Sequence, residues 1–162
     1  MGEIIKVGMA DLKVCREPDS LTTLGLGSCV GVALYDPITK ISGLAHVMLP
    51  SSKEIRNNAN IAKFADTGID ETLRLMVEMG AQTKRMVAKI AGGAQMFSFG
   101  SKSSDNLNIG LKNVEAVKAK LTELHIPIVA EDTGLNYGRT VILDSNTGEY
   151  SIKAVGKPIK VL

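Results

Sequence analysis

The sequence has little that would suit a nucleic-acid-binding, membrane or secreted protein. It contains no tryptophan, and aromatic residues make up only 4% of the chain, so few side chains are available to stack against bases. The net charge is only +2, which also argues against nucleic acid as a partner. The uncharged stretch Leu21–Tyr35 is glycine-rich and shorter than the roughly 20 apolar residues that span a membrane. Because the first residues include acidic side chains and no long apolar segment, we expect a cytoplasmic protein.

Soft metal ligands are equally scarce. Two cysteines, Cys15 and Cys29, and two histidines, His46 and His125, occur at spacings that match no zinc motif. A cytoplasmic chain keeps its thiols reduced, and 162 residues can bury a core without a disulfide. We therefore expect two free thiols and no metal.

Length and apolar pattern predict one domain, residues 1–162, of the α+β class. Apolar residues spaced three or four apart predict helices over Asn58–Met79 and Ile109–Leu124. Strands are expected within Glu3–Val14 and at Thr22–Gly27, Cys29–Tyr35, Ile41–Met48, 85–93, Pro127–Ala130, Arg139–Leu143 and Glu149–Val155. Since this order lacks the strict alternation of a parallel α/β fold, we expect packed antiparallel or mixed sheets flanked by the two helices.

The stretch LGLGSCVGVALYD raises the question of function. Gly25, Gly27 and Gly31 come close to a dinucleotide-binding fingerprint, but the third glycine is one place late and a strand follows instead of a helix. A positive φ at Gly27 would instead lift Cys29 out of the sheet and aim neighbouring N–H groups at one point. That arrangement suits a nucleophile with an oxyanion hole. The alternative is that Cys29 is a small buried hydrophobic residue, as free cysteines often are.

His46, in SGLAHVMLP, is the candidate base for this thiol. The hairpin predicted at DPITK pairs its strand with the one that begins at Cys29, which brings the two residues near the same end of adjacent strands. A neutral imidazole there could accept the thiol proton. A third group would have to orient the ring, and Thr22 and Thr23 both lie on the strand before Cys29. A histidine hydrogen-bonded within the core is the competing interpretation.

Two other motifs point elsewhere. DTG occurs at 66–68 and 132–134, as in proteases with paired aspartates, but the first copy lies within a helical pattern, so the two cannot be symmetry mates. Met96, Phe97 and Phe99 put apolar side chains in a polar loop, where they would form a partner-binding patch or pack against the core.

The segments LGLGSCVGVALYD, GLAHVMLP, AKFADTGI, KIAGGAQMF, IGLKNVEAVKAKL and IPIVAEDTGLNYGRTV together resemble, in order, the CheD family of chemoreceptor glutamine deamidases. The resemblance implies that Cys29 is the nucleophile, His46 the base and Thr23 the third member. It implies a fold like that of the catalytic domain of the cytotoxic necrotizing factor toxins, with packed β-sheets flanked by helices. Backbone N–H groups from Gly27, Ser28 and Cys29 would then form the oxyanion hole.

The activity implied is hydrolytic deamidation of glutamines on methyl-accepting chemotaxis receptors, with no metal and no cofactor. Family members also bind and stimulate the CheC phosphatase, and we assign Met96 and Phe97 to that contact. Two alternatives remain. A protease or acyl transferase could use the same pair of residues, and the protein could be mainly a non-catalytic regulator of the phosphatase.

Overall fold

The computed structural model describes residues 2–53, 60–95 and 108–162 and has the predicted α+β architecture. Within these segments the strands are β1 (Ile4–Lys6), β2 (Leu12–Arg16), β3 (Ser20–Leu26), β4 (Val30–Asp36), β5 (Ile41–Val47), β6 (Val87–Gly92), β7 (Ile128–Thr133), β8 (Arg139–Asp144), β9 (Tyr150–Lys153) and β10 (Lys160–Val161). The helices are α1 (Ala65–Met79) and α2 (Ile109–Glu123), and short 3₁₀ turns occupy Ile61–Lys63 and Thr83–Arg85. Neither α1 nor α2 is long and apolar enough to cross a membrane.

The strands form two five-stranded sheets. Sheet I has the order β1-β3-β8-β9-β10, and sheet II has the order β2-β5-β4-β6-β7. Each sheet is mainly antiparallel with one parallel pair at an edge, β1 with β3 and β6 with β7. The predicted hairpins are confirmed, because β4 pairs with β5 and β8 pairs with β9 in antiparallel register.

Sheet II is the middle layer of the molecule. Its central strands β4 and β5 are buried along their whole length. Alternate residues of these strands therefore face different cores. One face packs on α1 and α2 through a cluster that includes Val32, Ala45 and Ile69, and the other packs on sheet I through a cluster that includes Leu44, Val141 and Tyr150.

The helices use the faces that the sequence predicts. In α1, Ala65, Ile69 and Met76 are buried, and in α2 the buried apolar residues are Val114, Val117 and Leu121. The start of the first helix, however, was predicted too early: α1 begins at Ala65 rather than near Asn58.

The chain just before α1 is extended because it is tied to the end of β5. The N–H groups of Met48 and Leu49 both donate to the carbonyl of Lys63, and Ala65 N–H donates to the carbonyl of Leu49. Phe64 pairs with Leu49 in a parallel bridge and has extended backbone angles. These contacts with a distant strand cannot be read from local periodicity.

Candidate active site

Cys29 lies in the short connection that carries the chain from sheet I to sheet II. β3 ends at Leu26 and β4 begins at Val30, so Gly27–Cys29 crosses between the layers. The Cys29 side chain belongs to the apolar cluster between the two sheets, and 8% of the residue is exposed. Cys29 therefore lies almost buried where the chain passes from one sheet to the other.

The turn before this connection depends on Gly25, and the prediction that Gly27 would have a positive φ is wrong. Gly25 has φ +69°, in the region that glycine adopts readily. The register of β3 against β8 also shifts between Thr23 and Leu26. The Gly27 N–H donates to the carbonyl of Gly25 at 3.0 Å. The N–H groups of Ser28 and Cys29, by contrast, donate to no other residue in the described segments.

The three carbonyl groups of Gly27–Cys29 all accept hydrogen bonds from one side. Their donors come from the loop after β6 and from α2: Ala94 N–H to the Gly27 oxygen (2.8 Å), Asn113 Nδ2 to the Ser28 oxygen (3.0 Å) and Gly93 N–H to the Cys29 oxygen (2.8 Å). The connection is thereby fixed at three consecutive peptide groups.

His46 lies on β5, where its side chain faces sheet I. It is fully buried, and its Nδ1 lies 2.7 Å from the hydroxyl oxygen of Thr23, a buried residue of β3 in the opposite sheet. The neighbouring Thr22 donates instead to the carbonyl of Val141. Of the two threonines that the sequence left open, the structure brings Thr23 to the imidazole.

The hydrogen bonds of Thr23 determine which nitrogen of His46 carries the proton. Its hydroxyl lies 2.8 Å from the carbonyl oxygen of Val7, which can only accept, so the single hydroxyl proton is donated there. The Thr23 oxygen must then accept a hydrogen bond from Nδ1–H, which leaves Nε2 unprotonated in the neutral ring. His46 Nε2 is buried and has no hydrogen-bond partner among the described residues.

The strand register places this free nitrogen on the same side of sheet II as the thiol. His46 pairs with Gly31, two residues after Cys29, which lies just before β4 and belongs to the cluster between the two sheets. Diagonal neighbours within paired strands have α-carbons about 7–8 Å apart, but no hydrogen bond joins the Cys29 sulfur to Nε2 in this structure. Gly31 adds no side chain to the space, where a β-carbon would lie 2.6 Å from the Tyr150 hydroxyl oxygen and 2.9 Å from a Leu26 methyl carbon.

Burial favours the uncharged forms of both groups. It raises the pKa of the Cys29 thiol, an effect partly offset by the residue's own N–H, and it lowers the pKa of His46. The resting site therefore holds a neutral thiol and a neutral imidazole near neutral pH, so the imidazole is in the form that can accept a proton. Charge would develop only during a reaction.

The second cysteine lies in the same inter-sheet core but away from this site. Cys15, on β2, pairs with Ser42, and its sulfur is 3.2 Å from the Ser145 hydroxyl. Ser42 is four residues before His46 on β5, which corresponds to about 13 Å along the strand. Neither cysteine forms a disulfide, as the sequence predicted.

Three other predictions concern the DTG motif, the apolar loop residues and the metal ligands. The first DTG, Asp66 to Gly68, lies in α1 as expected. Met96 and Phe97, predicted to contact a partner, lie outside the described residues. No group of three or more His, Cys, Asp and Glu side chains in residues 2–53, 60–95 and 108–162 is placed to hold a metal ion.

Two residues near the site were missed by sequence reasoning. Val7 contributes only its carbonyl oxygen, for which a sequence carries no signal. Asn113 did carry a detectable signal in the sequence, because it is a polar side chain at a buried position on the otherwise apolar face of α2.

Comparison with known proteins identifies the family. Residues 48–154 match the family model described as CheD chemotactic sensory transduction. The chain belongs to the CheD family. The matched span begins just after His46 and covers most of the chain, so the predicted membership is confirmed without reference to the site residues.

Curated relatives extend the similarity over almost the whole length. A protein of Lachnoclostridium phytofermentans named probable chemoreceptor glutamine deamidase CheD is 63% identical over 99% of both chains. One of Caldanaerobacter subterraneus subsp. tengcongensis with the same name is 55% identical over 99% of this chain and 98% of its own. The chemoreceptor glutamine deamidase CheD of Halalkalibacterium halodurans is 51% identical over 96% of both chains.

A solved structure shares the fold at low sequence identity. The crystal structure of a Neisseria meningitidis protein of the DUF152 family matches with a TM-score of 0.51 and 9% identity, covering 82% of this chain and 64% of that one. This likeness supports the fold class alone.

Proposed function

We propose that this protein hydrolyses glutamine side chains of chemoreceptors to glutamate, with Cys29 as nucleophile, His46 as general base and acid, and Thr23 as the residue that orients the imidazole. The observation that carries the proposal is the contact between Thr23 and His46 Nδ1, which leaves Nε2 unprotonated and without a hydrogen-bond partner in the described structure. His46 pairs with Gly31, two residues after the proposed nucleophile. The names of the full-length relatives supply the substrate.

In the first step, His46 Nε2 takes the thiol proton while the Cys29 sulfur attacks the carbon of the glutamine carboxamide. A carbon–sulfur bond forms, and the electron pair of the C=O bond moves to the oxygen. The N–H groups of Ser28 and Cys29 have no other partner in the described structure and would donate to this oxyanion. The Gly27 N–H, also expected to contribute, donates to Gly25 instead.

In the second step the intermediate collapses. The oxyanion re-forms its C=O bond, the carbon–nitrogen bond breaks, and the departing nitrogen receives the proton from His46 and leaves as ammonia. The product is a thioester between Cys29 and the substrate side chain. His46 is neutral again, with its Nδ1 proton still directed at Thr23.

A water molecule then hydrolyses the thioester. His46 removes a proton from the water as its oxygen attacks the thioester carbon, and the carbon–sulfur bond breaks as the sulfur recovers its proton from His46. The overall reaction converts one glutamine and one water to one glutamate and one ammonia. Each turnover adds one negative charge to the receptor.

Of the three proposed residues Cys29 has the largest exposed fraction, which suits a nucleophile approached by a side chain from a protein surface. Cys29 is 8% exposed, whereas Thr23 is 1% and His46 is 0% exposed. We therefore expect the substrate carboxamide to approach from the side of Cys29. We place the protein in the cytoplasm, at the cytoplasmic domains of the receptors.

The proposal includes a second role that rests on the family resemblance. The protein would bind a CheC-type phosphatase and stimulate it, with Met96 and Phe97 in the contact. If this role were the main one, replacing Cys29 by alanine would leave stimulation of the phosphatase intact and receptors would remain unmodified by the wild-type protein.

Mass spectrometry of a purified receptor cytoplasmic fragment tests the proposed function. Incubation with the wild-type protein is expected to add about one mass unit for each glutamine hydrolysed, with one ammonia released per event. Peptide mapping would then locate glutamate at positions that held glutamine. Cleaved fragments would indicate a protease, cross-linked products an acyl transferase, and an unchanged mass with folded protein would contradict the proposal.

Replacing Thr23 by valine is expected to lower kcat by about 10- to 100-fold, because an outer partner that fixes a histidine tautomer usually contributes that much. Valine has a similar shape but cannot accept a hydrogen bond from the Nδ1–H of His46. The measurement is the rate of ammonia release from the receptor fragment at saturating substrate.

Serine at the same position is the matched control, since it retains the hydroxyl. Thr23→Ser is expected to recover most of the wild-type rate. Equal rates for the valine and serine variants would show that Thr23 does not act through its hydroxyl.

A further inference from the structure

We infer that Asn113 is a positioning residue for the reaction: its amide sets the orientation of the peptide group between Ser28 and Cys29, and so aims the Cys29 N–H at the developing oxyanion. The inference rests on the proposed function and adds to it a residue from α2, which contributes no group to the chemistry itself.

Nothing in α2 itself explains an asparagine at this position. Asn113 is fully buried, on the face that otherwise carries Val114, Val117 and Leu121. Asparagine is a poor residue for the interior of a helix, and burying its amide is unfavourable unless hydrogen bonds replace those made with water. The amide nitrogen is satisfied, but Oδ1 is buried and has no hydrogen-bond partner in the part of the chain that the structure describes. The two hydrogen bonds that the amide donates therefore account for an otherwise unfavourable residue at this position.

Those two N–H groups join the chain beside the nucleophile to the chain beside the base. Asn113 Nδ2 donates to the Ser28 carbonyl at 3.0 Å and to the Met48 carbonyl at 2.9 Å. Ser28 directly precedes Cys29, and Met48 comes two residues after His46. One side chain thus connects the two chain segments next to the reacting groups.

Because the peptide group is planar, the hydrogen bond to the Ser28 carbonyl also fixes the direction of the Cys29 N–H. In a planar trans peptide the C=O and the following N–H point in opposite directions. The Ser28 carbonyl is directed at α2, so the Cys29 N–H is directed away from it. Ala94 N–H holds the Gly27 carbonyl on the same side, which turns the Ser28 N–H away from α2 as well.

The first turn of α2 packs closely against the loop after β6 and so holds these hydrogen bonds in place. A β-carbon at Gly110 would lie 2.3 Å from the Ala94 oxygen and 2.5 Å from the Gly93 oxygen. The absence of a side chain therefore lets α2 press on the loop whose N–H groups hold the Gly27 and Cys29 carbonyls. Asn113, one turn further along, holds the carbonyl between them.

The test compares Asn113→Leu with the wild-type protein in two reactions at one pH and below the melting temperature. Leucine has a similar shape and no donor. For ammonia release from the receptor fragment, kcat is expected to fall about 10- to 100-fold with KM changed less than about threefold, because a misdirected oxyanion donor affects the transition state. Alkylation of Cys29 by iodoacetamide forms no oxyanion, so its rate is expected to change less than about threefold.

Matched variants separate positioning from stability. Thr72→Val removes a buried hydroxyl of α1 that donates to the Gly68 carbonyl, away from the site, and should leave kcat unchanged. If Asn113→Leu does not fold, Asn113→Ala removes both donors without adding bulk, so the same loss is expected. A folded Asn113 variant with wild-type kcat would overturn the inference, as would equal losses in hydrolysis and alkylation. A wild-type protein that releases no ammonia would instead overturn the proposed function.

Discussion

With Cys29 replaced by alanine, ammonia release from a receptor fragment is expected to fall by at least about 10,000-fold, because removing the nucleophile of a catalytic unit abolishes nearly all of its rate enhancement. Alanine removes only the sulfur from a residue that is already almost buried, so the core between the sheets should stay closely packed. The measurement is the initial rate of ammonia release, with the fragment's mass as a second readout.

Cys15→Ala is the matched control for this variant. Both cysteines are buried in the same inter-sheet cluster, and burial raises the pKa of each thiol. Cys15, however, contacts Ser145 and pairs with Ser42, four residues before His46 on β5. The control is expected to retain the wild-type rate, with a somewhat lower melting temperature. Loss of activity in both variants to the same degree would assign the effect to packing.

His46→Ala is expected to lower kcat by about 1,000-fold or more, because the neutral thiol then has no base and the departing nitrogen has no acid. Burial raises the pKa of Cys29, which makes the thiol depend on a neighbouring base at neutral pH. The rate of ammonia release at pH 7 measures the loss. A variant that keeps more than about a tenth of the activity would remove His46 from the chemistry.

The pH dependence of the same rate identifies the group that titrates. The ordinary pKa of histidine is 6.5, and burial lowers it for His46. Since the base must be neutral, kcat/KM for the wild-type protein should be lost as pH falls through a value below 6.5. This acid limb should be absent from the residual activity of His46→Ala. An acid limb centred above 6.5 would contradict the assignment.

The regular elements of the fold were largely predictable because their signals are local. Three- and four-residue spacing identified both helices, and the turn residues in DPITK and DSNTGE identified both hairpins. The start of α1 was not predictable, since residues 61–64 are held in place by β5. The two-residue strand β10 was also missed, because its side chains are exposed and carry no alternation.

Some parts of the candidate site could likewise be predicted from the sequence, and others could not. The pairing of the strand that follows Cys29 with the strand of His46 could be predicted from the sequence because one hairpin joins the two. Thr23 could not be chosen over Thr22 from local pattern alone, because the choice depends on which face of β3 meets the opposite sheet. Either Gly25 or Gly27 could adopt a positive φ. The structure has it at Gly25, within the stretch where the register of β3 against β8 shifts. Asn113 lies 84 residues after Cys29 in the chain, and its contact exists only in the folded state.

The contact between Thr23 and His46 also makes the imidazole sensitive to the relative position of the two sheets. Each partner belongs to a different sheet, and their atoms are 2.7 Å apart, so a slip of about 1 Å between the sheets would break a bond of this length. The ring would then be free to exchange its proton between Nδ1 and Nε2. Ring ¹⁵N chemical shifts of His46 would register that exchange, and would reveal loosening of the two layers before any strand is lost.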